Sequence, residues 1–197
     1  LNERSLNMNE NKLKKLLFFS VIIIILVIVF TAMGVMKIID NYKTAQYSKQ
    51  LNTAIQNDDM ETAKNIIEQC PECVNSFPTS MPYIMLILWE YPYQYYPLQE
   101  ACSSENYDMV QLLIENGANV NCAGRREWEC DPPLTVLVRV HLPWLKEPKP
   151  IDETDLKIIR LLLEKGADKT IKNHLGKTAY DYAVELNDSN LEELLKY

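Results

Sequence analysis

Two histidines and five scattered glycines are all that 197 residues contain. So few histidines leave little material for a metal cluster, and isolated glycines do not make a Gly-rich phosphate loop. Basic charge is also scarce in most of the chain. Residues 37–197 carry sixteen Lys/Arg against twenty-five Asp/Glu, whereas residues 1–36 carry four against two. An acidic body argues against a phosphate-backbone partner, so no nucleic acid is expected. No Ser/His/Asp grouping, Walker loop or paired-carboxylate motif appears. No catalytic residue, metal, cofactor or small-molecule substrate is therefore expected, and the chain reads as a protein other than an enzyme. What is present is an apolar fraction of 47%, enough for one domain with a core and one accessory segment.

The accessory segment is "LLFFSVIIIILVIVFTAMGVM", residues 16–36, which has no charge. Its twenty-one residues reach roughly 30 Å as a helix, the thickness of a bilayer core. The run is too long for an ordinary signal-peptide core, and Thr31-Ala32-Met33-Gly34 is a poor cleavage site. An uncleaved signal anchor is expected, with Met8 as a natural start, residues 1–15 as a tail and residues 37–50 as a helical lead-in. Arg4, Lys12, Lys14 and Lys15 precede the run; Lys37, Lys43 and Lys49 follow it. The tight Lys12–Lys15 cluster favours a cytoplasmic N-terminus and an extracytoplasmic body.

The body, residues 51–197, repeats itself. "YDMVQLLIENGANVN" (107–121) and "LKIIRLLLEKGADKT" (156–170) align without gaps, matching Leu112, Leu113, Glu115, Gly117 and Ala118 to Leu161, Leu162, Glu164, Gly166 and Ala167. Apolar residues recur at helical spacing in both, at Met109, Leu112 and Leu113 and at Ile158, Leu161 and Leu162. Gly117 and Gly166 fall where each helix ends and positive φ is needed. Upstream lie "PLQEAC" (97–102), "PLTVLV" (133–138) and "TAYDYA" (178–183). The pattern resembles the ankyrin repeat, whose helix–turn–helix unit opens on T-P-L-H-x-A and closes on L-L-x-x-G-A. The resemblance implies an all-α solenoid of about four repeats following the apolar helix, and a protein–protein interaction module without catalysis. The first unit is degenerate: Ala54 takes the place of Ala101, and Cys70-Pro71 replaces the Gly-Ala. The last ends in the charged helix of a terminal cap.

Two inserts interrupt the array. Ala54 to Ala101 spans 47 residues, Leu98 to Leu134 spans 36 and Leu134 to Tyr180 spans 46, against a repeat period of about 33. The inserts fall near 76–96 and 140–153. The first carries "WEYPYQYYP" (89–97), with Trp89, Tyr91, Tyr93, Tyr95 and Tyr96. These rings either pad the join between the first and second units, anchor a partner, or touch a membrane surface. The second insert is proline-rich, and His141 within it reads as a surface residue. His174, in a later turn, reads the same way.

All five cysteines lie between Cys70 and Cys130. Cys70–Cys73 and Cys122–Cys130 are possible disulfides in an oxidising compartment; buried thiols are the alternative. Cys70-Pro71-Glu72-Cys73 has redox spacing, but it follows a helix C-terminus, whose negative end disfavours a thiolate. In ankyrin proteins the loop at 121–131 is a projecting finger, which here would present Arg125, Arg126 and Trp128. The family's mode of action makes these three and the insert aromatics the candidate contacts for a protein partner of unknown identity, with a basic partner favoured. A membrane-associated thiol/redox helper using Cys70–Cys73 and a structural tether of a membrane complex are the competing functions.

Overall fold

The computed structural model describes residues 2–76, 95–122, 131–143 and 149–196. It has two compact units, Leu1–Lys43 and Thr44–Tyr197. Every element among the described residues is helical. Helix α1 runs from Asn2 to Gln56.

In the first unit, every large apolar side chain described between Leu17 and Met36 is exposed, from 36% at Ile22 to 81% at Phe30. With no polar stripe, no one face is selected for burial. The two hydroxyls within the run turn inward on the helix itself: Ser20 Oγ donates to the Leu17 carbonyl (2.8 Å) and Thr31 Oγ1 to the Val27 carbonyl (2.9 Å). This is the one described helix long and apolar enough to cross a membrane.

The second unit is a stack of helix pairs. The C-terminal part of α1, from Thr44, precedes α2 (Met60–Gln69) and a short 3-10 helix (Pro71–Asn75). Then follow α3 (Pro97–Ser103) with α4 (Tyr107–Glu115), α5 (Pro133–Arg139) with α6 (Glu153–Glu164), and α7 (Ala179–Leu186) with α8 (Ser189–Leu195). The first helices pack on one another in one row, α3 on α5 and α5 on α7. The second helices make a second row, α4 on α6. The unit starts within the expected lead-in, since Ala45 and Ser48 are already buried.

The same local chemistry recurs in each pair. Helices α3 and α5 open on Pro97 and Pro133, where a missing N–H costs nothing. The second helices open on Asp or Asn caps: Asp59 accepts from the Thr62 amide (2.9 Å) and Asn106 from the Met109 amide (3.0 Å). In three pairs the residue before that cap is left-handed, at Asp58, Glu105 and Asn187. The cap amide then reaches back to the matching alanine carbonyl, Asp59 to Ala54, Asn106 to Ala101 and Asp188 to Ala183. These three alanines are the buried small residues that allow close helix approach. At the other end, Gly117 (φ +83°) and Gly166 (φ +89°) turn the chain. The amides of Ala118 and Ala167 each donate to a leucine carbonyl, Leu113 and Leu162 respectively, both at 2.9 Å. Apolar residues at helical spacing, such as Met109 with Leu113 and Ile158 with Ile159 and Leu162, fill one continuous core. Each such Leu or Ile contributes roughly 1.5–3 kcal/mol on burial.

Candidate functional site

Turns that leave the second helices bind to one another through asparagine. Asn75 Nδ2 donates to the Gly117 carbonyl and its Oδ1 accepts from the Asn119 amide, both at 2.8 Å. One unit on, Asn121 Nδ2 donates to the Gly166 carbonyl (3.0 Å) and its Oδ1 accepts from the Asp168 amide (2.8 Å). In the next unit Thr170 takes that place, and its hydroxyl folds back on Asp168 Oδ1 (2.6 Å). The amide fork satisfies a carbonyl and an N–H of the following turn at once, which holds successive turns in register. The recurring Val-Asn at 74–75 and 120–121 was the legible signal for it.

Beyond the last of those turns the chain makes one more described turn before α7. Leu175 stands 59% exposed in that turn, next to Gly176 at φ +73°. Its amide is held by Asn173 Oδ1 (3.0 Å), and Asn173 Nδ2 donates to the buried Tyr182 hydroxyl (2.8 Å). Leu175 and Val184 are the only large apolar side chains of the second unit left exposed among the described residues. Continuing the gapless alignment of the repeats sets Arg125 and Arg126 opposite His174 and Leu175. His174 is exposed, as expected.

A buried polar junction supports the finger bases. Asp131 ion-pairs with Arg139 Nε at 2.7 Å. Its backbone carbonyl accepts from Gln99 Nε2 (2.6 Å), and His174 Nδ1 lies 4.0 Å from its other oxygen. Arg139 also donates to the Tyr95 hydroxyl (3.4 Å), and the Tyr95 carbonyl accepts from Asn52 Nδ2 (2.7 Å). The Tyr96 amide donates to Gln99 Oε1 (2.9 Å) at the start of α3. Burial raises the Tyr95 pKa, with the Arg139 charge opposing. Tyr95 and Tyr96, the two described aromatics of the first insert, are thus tied into the join between the first and second helix pairs. Trp89, Tyr91, Tyr93, Arg125, Arg126, Trp128 and Cys130 lie outside the described residues.

Cys70, Cys73, Cys102 and Cys122 are free thiols. Cys70 and Cys73 are buried side by side. Burial first, then Glu72, raises the Cys70 pKa. Burial and the Cys70 neighbour push Cys73 up to about 12. Thiols held protonated in this way are poor nucleophiles. Cys122 is also pushed up to about 12 by burial, and it is a neighbour of the fully buried Cys102.

His141 departs from expectation. It was read as a surface residue, yet it is 2% exposed. Its Nδ1 lies 3.0 Å from the Lys149 carbonyl, which joins the two ends of the second insert. Its Nε2 faces Asp155 Oδ2 at 3.5 Å and Glu105 Oε1 at 3.7 Å. The Lys149 ammonium pairs with the other Glu105 oxygen. Burial works to lower the His141 pKa, but the Asp155 carboxylate, the Lys149 carbonyl and the Asp152 charge together raise it above the ordinary histidine value. Burial works to raise the Asp155 pKa; His141, the Asp152 amide and Lys149 outweigh it and hold it below the usual carboxylate range. Sequence offered no sign of this grouping, because its members come from three separate elements.

Residues 93–125 match the ankyrin repeat family model. Over 88 residues the chain is 33% identical to ankyrin repeat and SOCS box protein 11 of Mus musculus. That match takes in 45% of this chain and 22% of the mouse protein, so the chain spans under a quarter of that relative. In structure it is similar to the ankyrin repeat domain of Bcl-3, a unique member of the IkappaB protein family, with TM-score 0.51 and 20% identity over 75% of this chain and 50% of that one. Together these likenesses support the ankyrin repeat family for this chain. Ankyrin repeats indicate a protein–protein interaction module.

Proposed function

We propose that the chain is a single-pass membrane protein, anchored through residues 16–36 with its N-terminus in the cytoplasm. Its ankyrin body, of about four repeats with two inserts, binds a protein partner outside the cytoplasm and catalyses nothing. The observation that carries this reading is Leu175, a large apolar side chain held out at a finger tip on a turn braced by Asn173. Leu175 takes the finger position through which the ankyrin resemblance implies partner contact. Arg125, Arg126 and Trp128 of the preceding finger are of the types that dominate binding hot spots. Trp89, Tyr91, Tyr93, Tyr95 and Tyr96 of the first insert are the further candidate contacts. The acidic body favours a basic partner.

A photo-crosslinking residue at Leu175 or at Trp128, expressed in intact cells, tests this directly. Both positions should give the same protein adduct, and Lys64, exposed on α2, should give none. Adducts at Lys64 alone would sink the finger reading. An adduct with a cytoplasmic protein would overturn the orientation.

A further inference from the structure

His141 lies at the mouth of the proline-rich insert that replaces the tight turn between α5 and α6. In two other pairs, a left-handed residue and a short turn do that job, at Asp58 and Asn187. Here Lys149, in the described end of the insert, pairs with Glu105, the left-handed turn residue of the preceding pair. Asp155 reaches the same point from the first turn of α6, where its Oδ2 accepts from the Asp152 amide (2.8 Å). Three elements therefore converge on one buried point.

The polar atoms at that point are not satisfied by one another. His141 Nε2 and Asp155 Oδ1 are both buried without a hydrogen-bond partner. The gaps of 3.5 Å and 3.7 Å from Nε2 to the two carboxylates exceed a hydrogen bond's reach. They are close to the ligand–ligand edge of a tetrahedral zinc site, about 3.3–3.5 Å for metal–ligand bonds near 2.0–2.1 Å. One ligand atom from each of Glu105, His141 and Asp155 lies within 4.8 Å of the others.

The surroundings also suit a cation. The Lys149 carbonyl can only accept, so Nδ1 carries the proton that faces it and the neutral ring presents its lone pair at Nε2, the outer-shell arrangement typical of ligating histidines. Lys149 pairs with Glu105 Oε2, which leaves Oε1 turned toward the histidine. The Lys149 ammonium offsets one of the two carboxylate charges, and a divalent ion bound at Nε2 would take the place of the proton that His141 otherwise holds between Asp155 and Glu105.

We propose that His141 Nε2, Asp155 and Glu105 bind a zinc-class divalent cation, with water completing a tetrahedral shell. The ion would join the turn of the second helix pair to both ends of the third. It would stabilise the insert and take no part in catalysis.

Cobalt(II) titration of the detergent-solubilised full chain tests the site, with Zn²⁺ as competitor. One Co²⁺ per chain should give a visible d–d band that Zn²⁺ displaces. No thiolate charge-transfer band should accompany it, which separates this site from the cysteines. The band should be lost in His141→Gln and in Glu105→Gln, and kept in Cys70→Ser. Circular dichroism checks folding, and Glu105→Gln decides alone if His141→Gln does not fold. No band, a band with thiolate character, or a band that survives Glu105→Gln would each overturn the proposal.

Discussion

Ile23, Ile24 and Ile25 are each more than half exposed, whereas Ile158 and Ile159 are fully buried. The side chain is the same and the surroundings are opposite. In α6 the isoleucines share their helix with exposed Glu153, Lys157, Arg160 and Glu164, so one stripe turns inward and the rest meets water. Residues 16–36 have no charged position at all, and every face makes the same demand on its environment. Hydrophobic content alone therefore says little about where a segment goes; the distribution of polar residues along the helix decides it.

The contrast can be broken most strongly from the buried side. Leu162→Ala should destabilise the second unit by about 2–5 kcal/mol through lost burial and a residual cavity. Ile24→Ala should leave the same denaturant midpoint where it was. Comparable losses from both would mean that the apolar run is part of the folded core.

The complementary change places a charge in the exposed run. Ile24→Lys should cost about 2.5–3.5 kcal/mol of membrane insertion and shift the protein from the membrane fraction. Unfolding of the second unit should not change. Unaltered fractionation would sink the anchor reading.

The smallest effect concerns polar capping, which the body uses and the apolar run lacks. Asp181 Oδ2 accepts from the Thr178 amide (2.7 Å) and from its hydroxyl (2.9 Å). The amide bond chiefly, with the hydroxyl adding, holds the Asp181 pKa below its ordinary value. A folded pKa below the unfolded one contributes stability above about pH 4, lost as pH falls through the folded value. Acid titration of the unfolding midpoint should fall more steeply in the wild type than in Asp181→Asn. Identical acid limbs would remove Asp181 from the account.

Much of the architecture was legible because it is local. Gly117 and Gly166, the alanines at 54, 101 and 183, and the apolar spacing of α4 and α6 each act within one or two turns of their own helix. The turn asparagines at 75 and 121 were half legible: the repeated Val-Asn is visible, but its target is the next unit's turn. Leu175 was overlooked because one leucine in a polar turn carries no pattern; only its alignment with Arg126 singles it out. Cys70 and Cys73 offered a bridge or buried thiols by spacing, and their burial after the C-terminus of α2 is what folding adds.

By itself, then, the order of residues determined the helices, their caps, the repeat and the uniformly apolar run, since each rests on contacts a few residues long. Only the tertiary structure decided that His141 is buried against Glu105 and Asp155, that Tyr95 is bound to Arg139 and Asn52, and that Leu175 is left outside. Those outcomes depend on groups distant in the chain, and the burial or charge of a side chain is set by what folding brings against it.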